Sequence, residues 1–132
     1  MNCVGISVIV ICLLTENAIG GSVFIYNNLS GKNNLLKVHC KSGDNDEGYH
    51  VRRRGGLYHF SFSDHIMDKT HIWCHLWQGF RYEHYVVIVA YDAGTLRASS
   101  NWVRWSVRDY GVYQSINNET FQFRYNWDGE FT

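Results

Sequence analysis

Tyr82–Tyr91 reads YEHYVVIVAY, and this stretch sets the fold class. Its centre, Tyr85–Val89, is continuously apolar, aromatic and β-branched. A short apolar run of that kind predicts a strand, and one buried enough to be central in its sheet. Just upstream, Thr70–Trp77 alternates. Ile72, Cys74 and Leu76 share one face; Trp73, His75 and Trp77 share the other. Apolar residues on both faces predict a strand covered on both sides.

The same grammar extends outward. Downstream, Trp102–Val107 alternates, Asp109-Tyr110-Gly111 turns the chain, Val112–Gln114 is a short run, and Thr120–Trp127 sets Phe121, Phe123 and Tyr125 against Gln122, Arg124 and Asn126. Upstream, Leu57–Ser63 places Tyr58, Phe60 and Phe62 on one face. Tyr49–Arg53 is a candidate strand that ends at Gly55-Gly56. In Leu35–Lys41, Leu36, Val38 and Cys40 face one way and Lys37, His39 and Lys41 the other. Period two means one dry face and one wet face, so Cys40 is expected to point inward. Ser22–Asn27 is β-branched and aromatic. About eight short strands, split by Gly, Asn, Asp and Ser and lacking a helical period, predict an all-β antiparallel sandwich or barrel. The chain has no proline, which suits strands that must donate to a ladder.

Val4–Leu14 is different in kind. It is an uncharged apolar run followed by small residues at Ala18, Gly20 and Gly21. A core of about 11 residues is too short to span a bilayer and reads as a secretory signal peptide. Residues 1–20 are therefore expected to leave, with Ala18 as a second cut site, and residues 21–132 to form one domain. The segment before the core has no Lys or Arg, so a buried first strand is the alternative. All Phe, Tyr and Trp residues lie at Phe24 or beyond, which gives a small domain much burial per residue. Glu16 is the one charged side chain of the leader, so the rest of the chain stays near neutral. Near-neutrality argues against nucleic acid or anionic membrane as a general partner. A monomer, not embedded in a membrane, is expected.

Cys3 and Cys12 go with the leader, and Cys40 and Cys74 remain. In an oxidising compartment these two are expected to bond to each other; two free buried thiols are the alternative. A bond would close a loop of about 35 residues, worth roughly 3–4 kcal/mol in the chain-entropy model. Asn28-Leu29-Ser30 and Asn118-Glu119-Thr120 are candidate glycosylation sites at Asn28 and Asn118.

Seven histidines invite a catalytic or metal reading. His71 and His75 would lie about 13 Å apart on a strand, too far to share an ion. No H-E-x-x-H, C-x-x-C or G-x-S-x-G occurs. A ribonuclease would need two histidines and a cation. His39 and Lys41 share a face, but nothing brings His50 to them. Asp44, Asp46 and Glu47 lack the full calcium-loop pattern and read as a solvated turn. No catalytic residue, metal or cofactor is assigned. Arg52-Arg53-Arg54 is the sharpest charge run and could grip an anionic group. With the acidic turn it is expected to make a bipolar patch that guides partner choice.

Several segments, in order, resemble the plant self-incompatibility S1 family from about Val23 to Trp127. They are Val23–Ser30, Leu35–Ser42 (LLKVHCKS), Asp44–His50 (DNDEGYH), Leu57–Phe62, Thr70–Cys74 (THIWC), Arg104–Tyr113 (RWSVRDYGVY) and the aromatic ending. The family usually carries two more cysteines, at the positions of Ala98 and Val103. The resemblance then implies that Cys40 and Cys74 are the other pair, and that Asp92–Asn101 is looser than usual. It implies a secreted sandwich of two antiparallel sheets acting as an extracellular signalling ligand for a cell-surface protein, as in pollen rejection. The expected contacts are the loops at Asp44, Asp46 and Glu47, at Arg52, Arg53 and Arg54, and at Asp92–Ser100. The alternative is a carbohydrate- or cell-wall-binding defence protein that stacks exposed Trp and Tyr on sugars.

Overall fold

Alternating apolar residues generate nine strands in a computed structural model that describes residues 20–43, 45–63, 71–96 and 100–129. They are β1 (Gly20–Asn27), β2 (Leu36–Lys41), β3 (Asp46–Arg52), β4 (Leu57–Ser63), β5 (His71–Gln78), β6 (His84–Asp92), β7 (Ser100–Arg108), β8 (Gly111–Ile116) and β9 (Gln122–Tyr125). The expected leader falls on residues 1–19, outside the described residues, and on Gly20, the first residue of β1.

Two sheets form, one in the order β4-β1-β7-β8-β9 and the other β3-β2-β5-β6. All pairings are antiparallel except β1 with β7, which run parallel from Gly20↔Ser100 to Asn27↔Val107. The inward residues of both sheets make one core. Val23, Ile25, Val103, Trp105 and Val107 meet Val38, Cys40, Cys74, Leu76 and Ile88 across it. Trp105 is fully buried, and its indole N–H donates to the Ala90 carbonyl at 3.0 Å, which satisfies its one polar atom. Gly21 lies under the Tyr91 ring; a Cβ there would stand 2.5 Å from a ring carbon.

Cys40 and Cys74 are bonded, and they face each other in the β2–β5 register. The motif residues near them also hold structure. His39 Nε2 donates to Asp46 at 2.6 Å, and the Gly48 N–H donates to the same oxygen at 2.8 Å. Asn27 is buried; its amide donates to the Asn34 and Arg52 carbonyls, and its oxygen accepts from the Leu29 N–H. Asp109 accepts from both the backbone N–H and the hydroxyl of Ser30.

Two local expectations are corrected. Tyr82–Tyr91 does not yield a central strand, because β6 is the edge of its sheet. The edge is closed from outside the ladder. Val89 N–H donates to the Tyr125 hydroxyl, Tyr85 N–H donates to the Asp128 carboxylate, and Asp128 N–H donates to the Tyr85 carbonyl. This cover, rather than a neighbouring strand, accounts for an apolar edge that would otherwise invite pairing. Nor is β5 covered on both sides. Ile72, Cys74 and Leu76 are buried, whereas Trp73 on the opposite face is exposed.

Candidate functional site

The charged loops expected to act together are placed apart. Lys41 pairs with Asp46 at one end of β3, and Leu36 pairs with Arg52 at the other. Six residues of strand, about 20 Å, separate those ends. The bipolar patch is therefore not formed. Asp46 and Glu47 belong to β3 rather than to a free turn, and Asp44 lies outside the described residues. The segment after β6 emerges at the acidic end, where His71 pairs with Asp92. There Asp92 accepts from the Gly94 N–H at 3.1 Å. Residues 97–99 of that loop lie outside the described residues.

The acidic side chains are partly committed. Asp46 is held below the usual carboxylate range by the Gly48 N–H and by His39. Glu47 accepts from the Asn45 amide at 3.0 Å. In the arginine run, Arg52 donates to the Leu57 and Val51 carbonyls, and its guanidinium stands 5.4 Å over the Tyr58 ring. Arg54 donates to the Ser30 carbonyl. Arg53 is exposed, and only its carbonyl is engaged, accepting from the Gly56 N–H at 2.8 Å, so its side chain is the member of the run most open to a partner.

The histidine-and-lysine set of a ribonuclease is not assembled. His50 donates to the Glu47 carbonyl and stacks on Tyr58, on the opposite side of the sheet from His39 and Lys41. Among the described residues, no group of three or more His, Cys, Asp or Glu could hold a metal ion. The sequons differ. Asn118 is exposed in the turn after β8, at a φ of 70°, whereas the Asn28 amide donates to the Ser106 hydroxyl at 2.6 Å.

Between the two loop ends lies a surface that loop reasoning misses. Strand register lines up three rows across the outer face of the β3-β2-β5-β6 sheet. They are Val51–Lys37–Trp77–Tyr85, Tyr49–His39–His75–Val87 and Asp46–Lys41–Trp73–Val89. The rings lean on one another. His75 stacks on Trp77 at 5.9 Å and 18°, and on Tyr85 at 5.8 Å and 24°. Tyr49 meets His39 at 4.3 Å and Trp77 at 5.9 Å. The Lys37 ammonium stands 4.7 Å over Tyr49, 5.0 Å over Trp77 and 5.4 Å over Tyr82. Tyr49 is 62% exposed and Trp73 41%, so the face is open to solvent.

The electrostatics of this face are set by crowding. Burial, then Lys41 and His39, push the His75 imidazole below its ordinary range. Burial, then Tyr49, raises Tyr85, whose hydroxyl lies 2.5 Å from His75 Nδ1. Every ion pair among the described residues involves a histidine, so neither Lys37 nor Lys41 is in one, although Lys41 sits across the strand pair from Asp46 and acts on it through its charge. Chemically, the face offers aromatic surface, imidazole and two ammonium groups outside any ion pair.

Comparisons with known proteins agree with this architecture. A solved structure of SPH (self-incompatibility protein homologue) proteins superposes with a TM-score of 0.67 at 20% identity, covering 85% of this chain and 97% of that one. That structure is described as representing a widespread family of small, highly stable, secreted proteins from plants. Three Arabidopsis thaliana proteins are similar in sequence. S-protein homolog 8 is 36% identical over 78% of this chain and 78% of its own length. S-protein homolog 9 is 38% identical over 80% and 78%, and S-protein homolog 11 is 36% identical over 96% and 94%. The family model for plant self-incompatibility protein S1 matches residues 22–127, which is most of the described chain, and the chain belongs to that family.

Proposed function

We propose that this chain is a secreted signalling ligand, recognised outside the cell by a membrane protein of the kind used in self-incompatibility. Family membership is the observation that carries the reading. Residues 1–20 leave as a signal peptide in this reading, and the sequons at Asn28 and Asn118 carry glycans. N-terminal sequencing of the secreted chain tests the cut. A first residue of Gly21 is expected; Ile19 would mean cleavage after Ala18 and would keep Gly20 in β1. Loops held by a rigid sandwich are the usual place for recognition. Because the acidic and arginine ends lie apart, only one of them docks in a single small interface.

The test is saturation binding of labelled residues 21–132 to plant plasma membranes, with and without prior protease. Saturable binding that protease destroys is expected. Binding that survives protease overturns the receptor reading. Charge reversal at Asp46 and Glu47, and separately at Arg53 and Arg54, then identifies the docking end. Full binding by both variants rules out these two ends and leaves the Asp92–Ser100 loop.

A second reading, a carbohydrate- or wall-binding protein, is favoured by one specific observation: the open aromatic face of the four-stranded sheet.

A further inference from the structure

We propose that the outer face of the β3-β2-β5-β6 sheet binds an acidic polysaccharide, a chain rich in uronic acid, with its rings against sugar C–H faces and Lys37 and Lys41 on its carboxylates. The inference rests on the carbohydrate reading and deepens it by naming the site and the ligand's charge. It does not depend on a membrane receptor.

Three observations point this way. The first is shape. The face is the open outer surface of a four-stranded sheet, and its alternate residues recur about every 6.6 Å along each strand. A repeating linear polymer can meet such a surface at successive positions.

The second is the chemistry of the side chains. A sugar ring has a face of C–H bonds and a rim of hydroxyls. Trp73, Trp77, Tyr49 and Tyr85 each pair an apolar ring with a polar tip, and all four stand on this face. Ring contacts, stacked at 18° between His75 and Trp77 and tilted at 33° between Trp77 and Tyr85, hold the rings in place before a ligand arrives. Less ordering is then required on binding.

The third is charge. Lys37 and Lys41 stand in the first and third rows, and neither is in an ion pair among the described residues; Lys41 has Asp46 across the strand pair, whereas Lys37 has no carboxylate opposite it. The nearby Asp46 is already engaged by His39 and Gly48. This leaves positive charge in the middle of an aromatic field. Protein–protein interfaces are depleted in lysine, and their cores in charge generally. A polyanion built of rings complements this face better than an apolar protein patch does.

The experiment is titration of the full secreted chain with four probes: a de-esterified oligogalacturonate, its fully methyl-esterified counterpart, a neutral xyloglucan oligosaccharide and a single-stranded RNA. The acidic probe is expected to bind, and the esterified one to bind at least about fivefold more weakly, as two surface charge pairs would give. Added salt should weaken the acidic probe alone. Lys37→Gln with Lys41→Gln should reproduce the esterification effect, and Trp73→Ala should weaken both charged and esterified probes. Arg124→Gln, exposed on β9 of the other sheet, should change nothing. Trp73 is the ring to truncate first because it is exposed; circular dichroism of each variant confirms that it folds.

Equal binding of acidic and neutral probes overturns the charge assignment and leaves the carbohydrate reading standing. Binding that no face variant alters moves the site elsewhere and overturns the proposal. No binding to any glycan overturns both the proposal and the carbohydrate reading. Tighter binding to single-stranded RNA than to the uronate overturns it too, since RNA also combines stacking with charge.

Discussion

The two faces of β5 share a backbone and obey different rules. Inward, Ile72, Cys74 and Leu76 are buried against aliphatic neighbours and a disulfide. Outward, His71 stacks on Trp73 and His75 on Trp77 at the solvent-facing surface, with lysines beside them. The inner face is specified by volume, because a cavity in a close-packed core cannot collapse fully. The outer face is specified by ring geometry and charge, and nothing in the core requires it. A strand that needs only a dry inner face could carry Thr, Lys and Glu outside. That this one carries two tryptophans and two histidines separates what the fold demands from what the surface is free to use.

The strongest way to sharpen that contrast is to remove the inner bond. Cys40→Ala with Cys74→Ala should cost about 4 kcal/mol, since a loop of 34 residues is released and two buried side chains are cut back. Urea unfolding of wild type and double variant, both without reductant, gives the value. A loss under about 1 kcal/mol would break the claim that the inner face carries the stability.

Leu76→Ala comes next, at about 3 kcal/mol, for a fully buried side chain in the middle of the core. Its neighbour on the other face, Trp77→Ala, should cost only about 1 kcal/mol despite deleting a far larger group. Trp77 loses ring contacts and one cation–π partner but opens no cavity. The same denaturation midpoints decide it. Equal losses would mean that the rings are structural after all and would weaken any functional reading of the face.

Much of this was legible in the chain. Alternation in Leu35–Lys41 and Thr70–Trp77 names the outward sets, Lys37, His39 and Lys41 in one and Trp73, His75 and Trp77 in the other, and the structure keeps both sets together. The inward placement of Cys40 followed from the same pattern, and the bond to Cys74 is present. What alternation does not carry is adjacency. It is a local signal, whereas strand order is decided by long-range pairing. Adjacency brings Tyr49 and Tyr85 into the aromatic face and sends Arg52–Arg54 to the end opposite Asp46. The edge position of β6 was hidden for a related reason. Its cover comes from two single residues, the Tyr125 hydroxyl and the carboxylate and backbone N–H of Asp128, which leave no periodic trace.

The smallest effect tests the crowding of the outer face itself. His75 faces Lys41 and His39 from β2 and the Tyr85 hydroxyl from β6, with Trp77 beside it on β5. Its imidazole is pushed below the ordinary value of 6.5, first by burial and then by those two neighbours. In the unfolded chain it titrates near 6.5. As pH falls below that value the unfolded state takes up a proton that the folded state resists. Stability from this site is therefore complete above 6.5 and is lost as pH falls through the folded value. His75→Gln should lose less stability than wild type between about pH 7.5 and pH 5, a window that stays above the ordinary carboxylate range. Thermal midpoints at the two pH values give the difference of differences, which should be a small fraction of the Leu76→Ala effect. An identical pH slope in the variant would mean that the imidazole is not crowded, and that the rings on this face stand further apart than their stacking requires.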